Sequence, residues 1–361
     1  MIVLYGATGY TGNLIAEVLA ARKEAFVVAG RSPEKLRALV RELATRHEGV
    51  DVDSRVASVD DPAALAAAFE GADVVVSAAG PFELCGEPVV AATVAAGAAY
   101  CDTTGETGFM RRVIDDYADA PVPIIPAAGF DYVPHNMAAR LAIEACADPA
   151  NLESVETAQY VKRMAVSQGT MRSAMGAVLG TGTERAAGRL VTARFAQYTR
   201  TFEFPPPIGA MSAVSTPTGD AVQVELMTDA PNVRGYFIVS DSAARALRLT
   251  GGGIEKMLGV GLVQRGFDKL VDRASEGPSP DRRAASTFGV IAEARSGNET
   301  RRAFAAGRDV YGSTAVYIVR LAEILESRPG GLANGVLAPA QAVDDPQKFA
   351  AECGFELDLV P

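Results

Sequence analysis

Imidazole and thiol are scarce in this chain. Of its 361 residues only two are histidine, His47 and His135, and four are cysteine, Cys85, Cys101, Cys146 and Cys353. No two cysteines form a Cys-x-x-Cys pair, so neither a thiolate metal cage nor a disulfide framework is expected, and a His-rich metal site is excluded. Scattered thiols of this kind suit a reducing compartment, and the cytoplasm is the expected location. Long apolar runs are missing too. The most apolar stretch, Pro88 to Ala99, is short and alanine-rich, well under the roughly 20 apolar residues that span a bilayer. Met1 to Tyr5 runs straight into a glycine turn with no basic segment before it, so no signal peptide is expected. There is no run of five or more like charges. A formal net charge of −10 argues against a nucleic-acid partner, which calls for a basic patch. What remains is an ordinary globular composition, 48% hydrophobic and 22% charged, in a chain long enough for two domains.

Up to about residue 145, short apolar runs alternate with helical patterns. Strands are expected at Ile2–Tyr5, Phe26–Ala29, Arg55–Val59, Ala72–Ala78, Tyr100–Cys101 and Pro123–Ile125. Between them the periodicity predicts helices over Gly12–Arg22, from Ser32, and over Pro62–Phe69, Pro88–Ala96 and Phe109–Tyr117. Such alternation means right-handed βαβ units and a doubly wound parallel sheet of Rossmann type. After Asp148 the runs alternate in polarity, as in Val155–Val161 and Ala221–Leu226, which reads as half-buried antiparallel strands. Helices are expected over Arg172–Leu190, Ile254–Arg273 and Tyr311–Glu326. The fold class is therefore α/β, a Rossmann domain over 1–145 followed by an α+β substrate domain over 146–311 with a largely antiparallel sheet.

Gly6-Ala7-Thr8-Gly9-Tyr10-Thr11-Gly12 lies between the first strand and the first helix. There Gly6 permits the tight turn, Gly9 lets backbone approach a pyrophosphate, and Gly12 lets helix and strand pack closely. The pyrophosphate then meets N–H groups at the positive end of the helix, so Gly6, Thr8, Gly9, Tyr10, Thr11 and Gly12 are cofactor candidates. NAD enzymes place an acid about 20 residues beyond these glycines to hold the ribose 2′-hydroxyl. Here that position reads Gly30-Arg31-Ser32. Arg31, helped by Ser32 and Lys35, suits a 2′-phosphate, so NADP(H) is the expected cofactor. Ser77, Ala78, Ala79, Gly80, Pro81 and Phe82 end the fourth strand and Thr104 follows the fifth, at the sheet edge where the nicotinamide half is expected.

The glycine turn, Ala79-Gly80-Pro81-Phe82, Gly86-Glu87-Pro88, Tyr100 to Glu106, and Gly129-Phe130-Asp131-Tyr132-Val133-Pro134 occur in that order. Gln168-Gly169-Thr170, Gly277-Pro278-Ser279, Tyr311-Gly312-Ser313-Thr314-Ala315 and Gly335-Val336-Leu337-Ala338-Pro339 follow. The series resembles the saccharopine dehydrogenase-like oxidoreductases, which include the bacterial trans-acting enoyl reductases. The resemblance implies a Rossmann domain carrying NAD(P), a second domain over the nicotinamide, and a C-terminal segment, 312–361, packed beside the Rossmann sheet. Tyr132 stands where the family usually has serine.

No Tyr-x-x-x-Lys pair, Ser-His-Asp order or Gly-x-Ser-x-Gly elbow is present. Hydride transfer needs a proton source, and Asp131, Tyr132 and His135 are the candidates, with helix capping as the alternative role of Asp131 and His135. Gln168, Gly169, Thr170 and Arg172 are the substrate candidates, for a carboxylate or phosphate; capping by Thr170 is the plain alternative. The apolar stripe from Ala246 to Leu270 reads as core or a homodimer face, or else as a wall for a long acyl substrate or a peripheral membrane contact. The expected activity is NADPH-dependent reduction of a C=C or C=O bond in a small hydrophobic metabolite. Saccharopine-type C–N chemistry, with Arg163, Arg172 and Arg200 on substrate carboxylates, is the alternative enzyme, and a non-catalytic NADPH sensor the alternative class.

Overall fold

The computed structural model describes residues 1–163, 167, 182–250, 277–327 and 331–361. Gln168, Gly169, Thr170, Arg172, the expected helix over 254–273 and most of the 246–270 stripe lie outside the described residues. The chain divides into two compact units, residues 1–133 with 311–344 and residues 134–310 with 345–361.

The first unit is built on β1 (Ile2–Tyr5), β2 (Phe26–Gly30), β3 (Val52–Val56), β4 (Val74–Ser77), β5 (Ala99–Asp102) and β6 (Pro123–Ile125). They are all parallel, in the order β3-β2-β1-β4-β5-β6, and β15 (Gly335–Val336) adds a further parallel strand beside β6. Every residue of β1, β2, β4 and β5 is buried. That explains why these strands read as continuous apolar runs, since helices cover both faces of a parallel sheet. The helices are α1 (Tyr10–Arg22), α2 (Pro33–Arg46), α3 (Pro62–Phe69), α4 (Phe82–Ala95) and α5 (Thr107–Tyr117). Pro33 and Pro62 sit at helix starts, where a missing N–H is harmless. On α1 the buried stripe is Ile15, Ala16, Leu19 and Ala20, with Leu14 and Val18 half-buried rather than inward as the periodicity suggested.

Helix α4 starts six residues before the expected Pro88. The carboxylate of Glu106 accepts the amides of Phe82 and Glu83 at 3.0 and 2.8 Å and so caps a helix 24 residues upstream. The helix is thereby fixed at Phe82, and Pro88 falls inside it. Strand β3 begins at Val52 rather than Arg55, and β4 at Val74 rather than Ala72.

The second unit holds β7 (Ser154–Lys162), β8 (Gly182–Ala186), β9 (Arg189–Ala193), β10 (Thr199–Phe204), β11 (Gly209–Thr216), β12 (Val233–Ile238), β13 (Thr287–Ser296), β14 (Glu299–Arg308) and β16 (Glu356–Val360). Their order is β10-β11-β12-β7-β13-β14-β16, antiparallel except between β12 and β7, with the β8–β9 hairpin attached to β12. The described helices of this unit include α6 (Val133–Glu144), α7 (Asp220–Val224), α8 (Asp241–Thr250), α9 (Pro280–Ala284) and α11 (Pro346–Cys353), while α10 (Val310–Ser327) packs in the first unit.

Two expectations for this unit are overturned. Ala221–Leu226 is not a strand, because Asp220–Val224 forms the short helix α7 with every residue buried, Gln223 included. Its apparent alternation of polarity therefore reflects buried polar groups, not a solvent face. The described part of the expected 172–190 helix is instead the β8–β9 hairpin, turned by Ala187 and Gly188, both with positive φ. Such a two-residue turn matches the twist of paired strands. The boundary between units falls at Val133/Pro134 rather than at 145, and residues 345–361 join the second unit. The reason is pairing, since β16 lies antiparallel along β14 while only β15 returns to the first sheet.

The second sheet rolls over on itself. The Phe204 ring on β10 stands 6.0 Å from Phe304 on β14 and 5.5 Å from Tyr160 on β7. The enclosed face buries Ala158, Phe202, Phe204, Tyr236 and Ile291. At one end of the roll Arg200 pairs with Glu156 and Glu293, Arg302 with Glu293, and Arg234 with Glu184.

Candidate nucleotide-binding site

The strand order β3-β2-β1-β4-β5-β6 reverses direction between β1 and β4. Ligands of such sheets lie beyond the carboxyl ends of the strands at that switch point. Gly6 leaves β1 with φ +78°. A side chain there would stand 2.7 Å from the Ala79 amide nitrogen, so the turn abuts the end of β4. Gly12 is needed for packing, because a Cβ would sit 2.2 Å from the Gly6 carbonyl oxygen. Gly9 differs from both. Its nearest neighbour would be 3.5 Å away, so the protein itself would accept a methyl group there. Gly9 is exposed, and the bare backbone it offers faces outward.

Helix α1 begins directly behind this turn with no side-chain cap and no acid in its first turn. In contrast, Ser32, Asp61 and Asp345 cap α2, α3 and α11 with their side chains. A helix start left bare next to a glycine turn fits a pyrophosphate, which would accept the amide hydrogen bonds that a cap otherwise takes. Thr8, Tyr10 and Thr11 flank it, half-buried, and the Tyr10 ring packs edge-on against Tyr311 at 5.3 Å.

At the end of β2, Arg31 is exposed and makes no hydrogen bond or ion pair with a described residue. Its charge opposes the burial that raises the pKa values of Tyr5, on β1, and Cys85, on α4. Ser32 is occupied as a cap, accepting the Lys35 amide and donating to Glu34. Lys35 is exposed on the first turn of α2.

Beyond β4, Ala78 and Ala79 are half-buried, and Gly80 and Pro81 are exposed. Ser77 and Phe82 turn inward instead, Phe82 stacking on Phe109 at 5.6 Å. Thr104 is also buried, and its hydroxyl accepts the Glu106 amide within its own loop. Asp131 is exposed beside Gly105, and the buried Tyr132 hydroxyl reaches the Gly105 carbonyl at 3.4 Å. His135 belongs to the second unit. It lies inside α6, 2% exposed, with Nδ1 2.8 Å from Asp220 Oδ1. Burial works against the Asp220 charge, but the paired imidazole outweighs it and holds the carboxyl below its usual range. Asp220 went unnoticed in the sequence because nothing local marks a pairing across 85 residues.

Residues 2–125 match the family model of the saccharopine dehydrogenase NADP-binding domain. The first unit therefore resembles saccharopine dehydrogenase NADP-binding domains. Its cofactor is NADP(H), and the protein is an NADP-dependent oxidoreductase. The chain aligns with the trans-acting enoyl reductase of Mycobacterium tuberculosis at 29% identity, covering 95% of this chain and 93% of the relative. Its counterpart in Mycobacterium ulcerans aligns at 28% over the same shares. The fold is similar to that of saccharopine dehydrogenase (L-Glu forming) from Saccharomyces cerevisiae, with a TM-score of 0.63 at 13% identity, covering 100% of this chain and 99% of that one. Among the described residues no helix is long and apolar enough to cross a membrane.

Proposed function

We propose that this NADP-dependent oxidoreductase reduces a carbon–carbon double bond in a small hydrophobic metabolite, with Gly6, Gly9 and Gly12 at the pyrophosphate and Arg31 at the 2′-phosphate. The observation that carries the cofactor half is the bare start of α1 behind the exposed Gly9, with an arginine that pairs with no described residue, and no acid, at the end of β2. The choice of bond is supported by the full-length relatives, which are trans-acting enoyl reductases.

NADPH supplies the hydride, and the protein supplies binding, orientation and a proton. Reduction of a C=C bond conjugated to a carbonyl adds hydride at the carbon remote from the carbonyl and a proton at the adjacent one. Asp131, Tyr132 and His135 remain the proposed proton sources. His135 has the buried carboxylate partner that an imidazolium requires. The C–N alternative keeps the support of the shared fold. Arg200, however, is already committed to Glu156 and Glu293, which weakens its use as a substrate carboxylate ligand.

The test is NADPH oxidation followed across a panel of enones, enoyl thioesters, ketones and imines. Turnover restricted to the conjugated alkenes supports the reading. Imine or 2-oxo acid turnover favours the saccharopine-type alternative, and tight NADPH binding with no turnover across the panel favours a sensor. We further propose a cytoplasmic homodimer; a monomer mass by light scattering removes the dimer.

A further inference from the structure

Asp102 ends β5 and is fully buried. It holds two loops at once. Its Oδ1 accepts the amide of Thr104 at 2.8 Å and that of Ala127 at 2.9 Å, and its backbone carbonyl accepts the Ala128 amide at 2.7 Å. Ala127 has φ +60°, a left-handed conformation that a non-glycine residue adopts at a cost and keeps only where its surroundings hold it. The two clamped loops carry Thr104, Gly105 and Glu106 on one side and Asp131 and Tyr132 on the other, and the Tyr132 hydroxyl bridges them at Gly105. These are the candidate residues at the ends of β5 and β6, where the nicotinamide half is expected.

The other carboxylate oxygen, Oδ2, is buried without a hydrogen-bond partner among the described residues, and so are the hydroxyls of Tyr100 and Ser77. Strand register puts Ser77 opposite Asp102 and Tyr100 on the same face two residues back. The Tyr100 hydroxyl lies close to both without hydrogen-bond geometry. The titratable groups around Asp102 are Tyr100 and Cys101 on β5, Glu106 in the first loop and Asp131 beside Gly105. Among the described residues none of these groups is a cation. Burial raises the Asp102 pKa to about 6, against the two amides that lower it. A clamp alone needs only a carbonyl oxygen, which asparagine supplies without charge. Beside the two-loop clamp, a buried carboxylate that no cation of the described residues offsets points to a role at this sheet edge.

We propose that Asp102 is a positioning residue for the nicotinamide half of the cofactor, its carboxylate tying the 103–106 and 126–132 loops into one wall. This rests on the NADPH reading above. Binding of NADPH and of 2′-phospho-ADP-ribose, which lacks the nicotinamide riboside, separates the two halves of the site. In Asp102→Ala, NADPH affinity falls about tenfold, the scale of losing a hydrogen bond to a charged group. Affinity for 2′-phospho-ADP-ribose stays unchanged. Equal loss for both ligands, or for neither, overturns the proposal.

Should Asp102→Ala fail to fold, Asp102→Asn with amide hydrogen exchange decides. In the wild type, protection of the 103–106 and 126–132 segments, corrected for intrinsic rates, rises as pH drops from 7.5 to 5, because opening returns Asp102 to its ordinary, lower pKa and the clamped state therefore holds the proton more tightly. In Asp102→Asn it is independent of pH over that range. A wild type that shows no such rise, or a variant that keeps it, overturns the clamp. If the wild type binds neither nucleotide, the cofactor reading fails, while the exchange result still reports on the clamp.

Discussion

Replacing Asp102 by asparagine changes one atom and removes one buried charge. The folded-state pKa is raised from 3.8 to about 6. A raised carboxyl pKa means the native state holds a proton that the unfolded chain has already released. Stability is therefore greatest below pH 4, falls as pH rises from about 4 to about 6, and levels off above that. Two units at about 1.4 kcal/mol each make the ionised group cost about 3 kcal/mol at pH 7. Asparagine keeps the acceptor for Thr104 and Ala127 and turns its amide toward the Tyr100 and Ser77 hydroxyl oxygens. An amide left unsatisfied there would subtract about 1–3 kcal/mol, so partial pairing leaves a net gain of about 2. For a unit of this size that is an increase of about 4–8 °C in apparent Tm at pH 7.5. The assay is the difference in Tm between Asp102→Asn and wild type from pH 5 to 8, in which titrations common to both cancel. The gain should shrink steadily toward acid. A difference that stays constant with pH, or widens toward pH 5, refutes the reasoning.

Arg31→Ala should weaken NADPH by about 10- to 100-fold, the loss of a charge-assisted phosphate pair, with NADH unaffected and Tm unchanged because Arg31 is exposed and pairs with no described residue. Equal wild-type affinity for the two nucleotides, measured by titration of cofactor fluorescence, would remove Arg31 from the site. Gly12→Ala forces a Cβ to 2.2 Å from the Gly6 carbonyl oxygen, so nucleotide binding should be lost and Tm lowered, as thermal melts will show. Gly9→Ala meets nothing closer than 3.5 Å, so it should fold normally yet bind NADPH poorly; undiminished binding would place the pyrophosphate elsewhere. His135→Gln and Tyr132→Phe, assayed on whichever alkene turns over, should include one variant with kcat lowered at least about 100-fold, the usual scale of acid–base catalysis. Unchanged turnover in both leaves the proton to another group.

The nucleotide-binding half was legible because its signals are local. The glycines must lie within one turn, the buried strands must be apolar throughout, and Arg31 follows β2 directly. What escaped depends on residues distant in sequence. The start of α4 is set by Glu106, so Pro88 misled as a helix start. The role of Asp102 rests on amides from two separate loops. Asp220 and Gln223 are polar yet buried in α7, and alternation counted them as facing solvent. The rolled second sheet follows from contacts between β10 and β14, which no short window contains. The candidate site divides in the same way. The glycine turn that marks the proposed phosphate end is a local signal, whereas the His135–Asp220 pair is a tertiary one.

The strand β15 has a consequence for how the protein is made. It closes the β6 edge of the first sheet with residues 335 and 336, which leave the ribosome after the whole of 134–310. Until then the nucleotide-binding half has an open strand edge and lacks α10. An open edge of that kind invites pairing with other chains. Premature termination anywhere in 134–310 therefore releases a chain whose first sheet cannot be completed, and such fragments should accumulate as aggregates rather than as free cofactor-binding domains.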